Sequence, residues 1–202
     1  KMLKKVLLLS LVLLGNINSI SIAETNESKL KKLFSSTQVT KIKNYKTSFE
    51  NAKSAQDFEK VYVEAMKLKN DLFEAMNKEY EKIQKKTNSF PSEKEFAWIN
   101  NFIPAMEIAL VAEGTQLDLI ANYQTFTNLA KKTPQKEDDL FLGIMLETYG
   151  ENGYFYPKWF TQTLYYGGYT NLGSGKHTQI VMSIDKFLSE TNLFKKELEE
   201  IR

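Results

Sequence analysis

Aromatic side chains are concentrated in residues 141–169, which hold 10 of the 25 aromatic residues of the chain. Glycines are interspersed with them, a composition that favours a loop over a helical stripe. Tyr and Trp rings combine a flat apolar face with one polar atom, which suits stacking on sugars, peptides or small amphipathic molecules. The alternative is that the segment packs onto the helices with its rings in the core. The candidate ligand-binding rings are those of Tyr154, Tyr156, Trp159, Tyr165, Tyr166 and Tyr169.

Residues 173–178 read Gly-Ser-Gly-Lys-His-Thr, which matches part of the phosphate-binding loop pattern. That loop requires Ser or Thr directly after Gly-Lys, and His177 stands there instead, so the spacing argues against nucleotide hydrolysis. A helix that starts here would still present free N–H groups to an anionic or hydroxyl group of a ligand. Ser174, Lys176 and His177 therefore join the candidate ligand-binding residues. The plainer alternative is a glycine-rich entry into a helix.

Glu107 is the best candidate for a catalytic carboxyl group, because it is the one charged residue in the apolar run 105–112. A buried carboxyl group can act as a general acid, and most glycosidase-type reactions need a second one. On a continuous helix Glu113 would point about 120° away, and Asp118 would lie about 16 Å along the axis. A partner would then have to come from another helix. A structural role for Glu107 inside the fold is the alternative.

The composition restricts the chemistry further. The chain has no cysteine, which excludes disulfides, thiolate zinc sites, iron–sulfur clusters and thiol catalysis. His177 is the single histidine, so a histidine metal triad is impossible. Asp138 and Asp139 are adjacent carboxylates, but no EF-hand loop or Glu-x-x-His motif accompanies them. We predict no metal site and no cofactor.

Charge and arginine content argue against nucleic acid as a partner. The formal net charge is only +2, and Arg202 is the single arginine. Recognition of phosphates and base edges depends mainly on the bidentate guanidinium of arginine. We therefore expect a partner of another kind, namely a small molecule, a glycan or an envelope protein.

Residues 1–23 have the composition of a bacterial Sec-type export signal. Residues 1–5 are basic, residues 6–14 are apolar, and Ser21-Ile22-Ala23 fits the small-x-small cleavage rule. The apolar run is shorter than the roughly 20 residues that span a membrane. We expect cleavage after Ala23, export to the periplasm or the exterior, and no transmembrane span in the mature protein. The alternative is a buried N-terminal helix.

Removal of such a signal changes the net charge from +2 to −1, because it takes away Lys1, Lys4 and Lys5 and no acidic residue. The remaining charges are unevenly divided between a basic part, residues 24–90, and an acidic part, residues 91–202. Surface charge mostly serves solvation, so this asymmetry by itself indicates no function.

Apolar residues spaced by three and four predict helices along most of the chain. The clearest runs over residues 55–86, with Ser54 as its N-cap and Asp57 in its first turn. Sustained alternation of apolar and polar residues is lacking, so we predict no strand. Further helices are predicted over residues 38–53, 93–103, 105–112 (central and most buried), 115–131, 134–149, 176–189 and 193–201.

These elements predict an all-α fold, a single-domain multi-helix bundle over residues 37–202 with an aromatic and glycine-rich loop at about 150–175. Residues 24–36 are expected to form a flexible lead-in. Three functions remain open. The leading one is an exported ligand- or partner-binding protein that uses residues 149–177. The alternatives are a cell-envelope hydrolase with Glu107 or Glu113 as general acid or base, and an assembly protein that docks through helix 55–86.

Overall fold

The computed structural model describes residues 25–133, 135–149 and 175–202. The described chain is mostly helical and includes one small antiparallel sheet, so the broad all-α prediction is confirmed apart from that sheet. In chain order the elements are α1 (Asn26–Leu33), α2 (Ser36–Asn51), α3 (Ala55–Thr87), two 3₁₀ turns (Glu93–Glu95 and Ala97–Asn101), β1 (Met106–Val111), β2 (Gln116–Ala121), α4 (Tyr123–Ala130), α5 (Lys136–Tyr149), α6 (Lys176–Glu190) and α7 (Lys195–Ile201).

Helix α3 is the longest described element and agrees closely with its prediction. The Ser54 hydroxyl accepts a hydrogen bond from the N–H of Asp57, and the Asp57 carboxylate accepts one from the N–H of Ser54. This reciprocal cap satisfies two N–H groups that the first helical turn leaves open. The apolar stripe of the helix is buried from Ala55 to Tyr80, and Ile83 in the last turns is partly buried. Its buried residues are Ala55, Phe58, Val61, Tyr62, Ala65, Leu68, Leu72, Met76 and Tyr80.

The helix predicted over residues 105–112 is wrong, because this run forms strand β1 of a hairpin. Its antiparallel register with β2 runs from Met106 opposite Ala121 to Val111 opposite Gln116. A short apolar run cannot be assigned to helix or strand from periodicity alone. Strand β1 is also not the most buried element, since only two of its six residues are fully buried. The helix predicted from residue 115 accordingly begins only at Tyr123.

A tight turn closes the hairpin. Ala112, Glu113 and Gly114 all have positive φ angles, of 50°, 56° and 83°. Two of these residues carry a Cβ, which disfavours the left-handed region. The Thr115 hydroxyl and N–H both donate to the carbonyl of Ala112, at 2.7 and 3.2 Å, and hold the turn closed.

Polar side chains bind the hairpin to α3. The Asn77 amide pairs with the backbone of Leu117 in both directions, accepting from its N–H at 2.9 Å and donating to its carbonyl at 2.8 Å. One turn later the Tyr80 hydroxyl donates to the carbonyl of Gly114. Earlier on the same helix Lys69 pairs with buried Asp118 at 3.1 Å. Three side chains of one helix therefore make polar contacts to the hairpin, two of them to strand β2 and one to the turn.

The flexible lead-in expected over residues 24–36 is replaced by helix α1. Thr25 caps it by accepting a hydrogen bond from the N–H of Ser28. Leu30 is completely buried, and Phe34, just past the helix end, is 3% exposed. These two side chains belong to the core, which explains why the segment is ordered into a helix.

An aromatic cluster joins the second half of the chain to α3. The rings of Phe141 and Phe194 stack with centroids 3.8 Å apart, and the edge of Tyr62 meets Phe141 at 4.9 Å. Phe58 makes edge contacts to Phe126 and Phe194 at 5.9 Å. Aromatic pairs of this geometry stabilise beyond the area they bury. Helices α4, α5 and the start of α7 are thereby positioned on the first half of α3.

We predict that Asn77→Ala destabilises the protein by about 2 kcal/mol, because the N–H and carbonyl of buried Leu117 lose their partners together. The measurement is the free energy of unfolding in urea. Exposed Lys78, the next residue on the helix, provides the control, since Lys78→Ala should change stability by less than about 0.5 kcal/mol. Equal effects of the two variants would show that the Asn77 contact contributes nothing specific.

Candidate functional site

Helices α5 and α6 border an open groove of about 600 Å³, the α5–α6 groove. The two helices run antiparallel, since an ion pair of 3.5 Å joins Lys136 at the start of α5 to Glu190 at the end of α6. Its lining includes five apolar side chains: Leu140, Ile144, Leu146, Ile180 and Phe187. Polar and charged side chains also line it: Lys136, Asp139, Glu147, Lys176, Gln179, Ser183, Lys186 and Glu190.

Gly143 is the unusual residue of the α5–α6 groove. It stands in the middle of α5, where glycine costs about 1 kcal/mol relative to alanine. A Cβ placed there would meet no heavy atom of the described residues within 4 Å, so their packing does not require the glycine. Glycine lets a docked group approach the backbone closely. Gly143 lies on the wall of the α5–α6 groove. Sequence reasoning missed this residue, although a lone glycine in a helical pattern was the signal for it.

Two of the predicted ligand-binding residues lie at the start of α6. Lys176 lines the α5–α6 groove, and exposed His177 follows it without contributing to the lining. Gly175 occupies the N-cap position with a φ of 74°, and no side chain of the described residues caps the helix there.

The remaining predicted ligand-binding residues, Tyr154, Tyr156, Trp159, Tyr165, Tyr166, Tyr169 and Ser174, lie outside the described residues. The chain that carries them, residues 150–174, links the end of α5 covalently to Gly175 at the start of α6. The two helices that it connects are the ones that line the α5–α6 groove.

The two candidate catalytic residues, Glu107 and Glu113, lie on the hairpin. Glu107 is half-buried on β1, where its carboxylate accepts a hydrogen bond from the Asn122 side chain, so the expected full burial is wrong. Glu113 lies in the exposed turn of the hairpin. Neither residue lines the α5–α6 groove.

Glu107 and Asp118 were expected to lie about 16 Å apart along a continuous helix. They lie instead on the two paired strands of the hairpin. Asp118 is opposite Ala109, so it shares a face of the sheet with Glu107. Asp118 is 1% exposed, and burial raises its pKa, while Lys69 and the N–H of Leu119 act in the opposite direction. Its pairing with Lys69 joins α3 to β2, which is a structural role.

Asp138 is the most deeply buried carboxyl group of the described residues. Its Oδ2 accepts a hydrogen bond of 2.6 Å from the Thr133 hydroxyl, while Oδ1 has no hydrogen-bond partner there. Burial raises its pKa to about 6. Asp139 instead lines the α5–α6 groove, so the two adjacent carboxylates diverge. Among the described residues no group of three or more His, Cys, Asp or Glu side chains could hold a metal ion.

Within the described ranges, none of the helices combines the length and apolar character needed to cross a membrane. Comparison of the chain with protein-family models, curated proteins and solved structures gives no match.

We predict that ionisation of Asp138 destabilises the fold, because its pKa is about 6 in the folded protein and near 3.8 in the unfolded chain. The folded state holds the proton more tightly, so the group lowers stability progressively as pH rises from about 4 to about 6, and no further above that. Asp138→Asn keeps the shape and removes the charge. Its stability relative to the wild type should therefore increase over this pH range and then become constant.

The measurement is urea unfolding at several pH values between 4 and 8. The neighbouring variant Asp139→Asn is the control, since this exposed carboxylate should show no comparable increase. A difference between wild type and Asp138→Asn that is independent of pH would contradict the prediction.

Proposed function

We propose that this protein is an exported binding protein, periplasmic or secreted, that holds a small amphipathic molecule in the α5–α6 groove. Its helices and the small hairpin are proposed to form a single domain over residues 37–202, to which α1 adds. The observation that carries the proposal is Gly143, a mid-helix glycine on the wall of an apolar groove, where a Cβ would meet no heavy atom of the described residues within 4 Å.

The dimensions and chemistry of the groove support a small ligand. A volume of about 600 Å³ lies within the range of roughly 300–1,000 Å³ that is usual for small-molecule sites. The apolar lining by Leu140, Ile144 and Phe187 suits an apolar ligand body. The charged lining residues, which include Lys176 and Glu147, suit a polar end group.

In the proposed site, residues 150–174 supply the aromatic contacts. Tyr154, Tyr156, Trp159, Tyr165, Tyr166 and Tyr169 would stack on the ligand, and Ser174, Lys176 and His177 would orient its polar group with the N–H groups at the start of α6. The support is the composition of the segment and its covalent attachment to both groove-lining helices. Export is supported by the signal-like sequence of residues 1–23.

The two other functions have weaker support. A hydrolase would require a second carboxyl group near Glu107 beside a cleft, whereas Glu107 lies on the hairpin, outside the α5–α6 groove. An assembly protein that docks through α3 would require an exposed apolar stripe on that helix, and the stripe is buried in the core. We therefore favour the ligand-binding function over the hydrolase and the assembly protein.

We predict that Gly143→Phe weakens binding of the apolar fluorophore N-phenyl-1-naphthylamine at least tenfold, because the new ring occupies the α5–α6 groove. Gly143→Ala adds only a methyl group, so it should retain binding and stabilise the protein by about 0.5–1 kcal/mol through its helix propensity. Binding is measured by the fluorescence increase of the probe, and stability by thermal unfolding.

The matched control is Met182→Phe, which introduces the same ring on α6 at a residue that is 65% exposed and does not line the groove. Its affinity for the probe should equal that of the wild type. Retention of wild-type affinity in folded Gly143→Phe, or failure of the wild-type protein to bind the probe, would refute a ligand site in the groove.

We predict that Trp159 reports binding of dodecanoate, an amphipathic probe that does not absorb tryptophan emission. Trp98→Phe leaves Trp159 as the single tryptophan, and its emission should change and saturate with dodecanoate. Trp159→Phe leaves Trp98, whose ring packs on Phe102 at 6.2 Å, and this emission should stay constant. If neither variant responds while dodecanoate still displaces the fluorophore, the aromatic segment takes no part in binding.

A further inference from the structure

A second cavity, of about 200 Å³, lies where α3, α4, α5 and α7 meet the end of β2. We call it the tyrosine pocket. The polar side chains that matter here are those of Tyr62, Tyr123, Tyr149, Glu197 and Glu200. None of these residues lines the α5–α6 groove, so the two cavities are built from separate side chains.

Two buried hydroxyl groups form one side of the tyrosine pocket. The oxygens of Tyr62 and Tyr123 are 3.2 Å apart, and both residues are at most 4% exposed. Burial raises the pKa of both phenols, that of Tyr123 to about 12, so both remain neutral at physiological pH. Among the described residues, the two hydroxyl groups have one further hydrogen-bond contact. It joins the Tyr62 hydroxyl to the thioether sulfur of Met145 at 3.9 Å. A thioether sulfur is a weak acceptor, so the pair keeps hydrogen-bonding capacity for an additional group.

Helix α7 adds negative charge to the lining of the tyrosine pocket. Glu197 and Glu200 are three residues apart and therefore share a helical face. No cation among the described residues pairs with Glu197, and Glu200 approaches Lys196 only to 3.9 Å at an exposed position, where pairing contributes little. Burial and the charge of Glu200 together raise the pKa of the Tyr149 phenol, so this third hydroxyl is also neutral.

Among the described residues that line the tyrosine pocket, Lys69 is the one cation, and its charge is already neutralised. Lys69 pairs with buried Asp118 at 3.1 Å, and these two charges cancel. The charges that remain in this described lining are the two carboxylates of α7. The site therefore combines net negative charge, neutral hydroxyl oxygens and aromatic faces, a combination that attracts organic cations.

We propose that the tyrosine pocket binds a small organic cation that carries a primary ammonium group. Three N–H donors match the acceptors available, namely the carboxylates of Glu197 and Glu200 and a hydroxyl oxygen of the Tyr62–Tyr123 pair. A short alkyl chain would lie against the thioethers of Met66 and Met145. The volume of about 200 Å³ admits such a molecule and is too small for a nucleotide or an oligosaccharide. This site goes beyond the proposed function of the groove and shares none of its lining residues.

The test is a titration of the full chain with n-butylammonium, followed by NMR of methionine methyl groups labelled with ¹³C. The signals of Met66 and Met145 should shift and saturate, while that of Met182, which is exposed on α6 and outside the pocket, should not move. Butan-1-ol, which has the same chain without the charge, should cause no saturable shift. Shifts with butan-1-ol equal to those with n-butylammonium would overturn the proposal.

Variants of α7 test the charge requirement. The double variant Glu197→Gln and Glu200→Gln should weaken n-butylammonium binding at least tenfold. Glu199→Gln is the matched control, because Glu199 is exposed on the same helix outside the tyrosine pocket, and its affinity should equal that of the wild type. Tyr123→Phe removes one hydroxyl and should weaken binding severalfold. Equal affinity of the double variant and the control would refute the site.

Tetramethylammonium distinguishes hydrogen bonding from ring stacking, since it is a cation without N–H donors. It should bind at least tenfold more weakly than n-butylammonium, and equal or tighter binding would overturn the assignment of a primary ammonium group. Gly143→Phe should leave n-butylammonium binding unchanged, so failure of the groove proposal and failure of this one give different results.

Discussion

The attachment of the hairpin to helix α3 is the interaction on which the rest of the architecture depends. Among the described residues strand β2 has one partner strand, and its other edge meets α3, where the Asn77 side chain pairs with Leu117 as a further strand would. Lys69 and Tyr80 add contacts on either side along the same helix. Because the backbone groups of a buried edge must find partners, this contact lets a two-stranded sheet exist within a mainly helical protein.

The first half of α3 then determines where the second half of the chain lies. Phe58 and Tyr62 contact the rings of Phe126, Phe141 and Phe194, which belong to α4, α5 and the start of α7. This aromatic cluster contains no charged side chain. Helix α5, which it holds against α3, borders two different cavities. One side of α5 borders the open α5–α6 groove with Gly143, and its C-terminal end contributes Met145 and Tyr149 to the tyrosine pocket. A single helix thus takes part in both candidate sites.

Local chemistry was sufficient to predict the long helix. The cap formed by Ser54 and Asp57 and the apolar spacing from Phe58 to Tyr80 act within a few residues of each other, so neighbouring positions contain the information. The same holds for α2, α5, α6 and α7, whose predicted ranges overlap the observed ones. Strand β1 was mispredicted because six apolar residues are compatible with a helix or a strand, and the choice depended on a partner strand and on α3. Helix α1 was missed because its order depends on Leu30 and Phe34 reaching a core built by later residues.

The sequence alone was sufficient to predict the mainly helical fold and the position of its longest helix. It also established the absence of cysteine chemistry and the aromatic character of residues 141–169. These properties are local or compositional, which is why no other part of the chain is needed to establish them. The tertiary structure determined which carboxyl groups are buried. These are the carboxyl groups of Asp118 and Asp138, and not that of Glu107. It also decided that Gly143 faces an open groove and that tyrosines from α3, α4 and α5 meet glutamates from α7. Burial and convergence depend on contacts between residues far apart in the chain, and spacing along the sequence carries no measure of those distances.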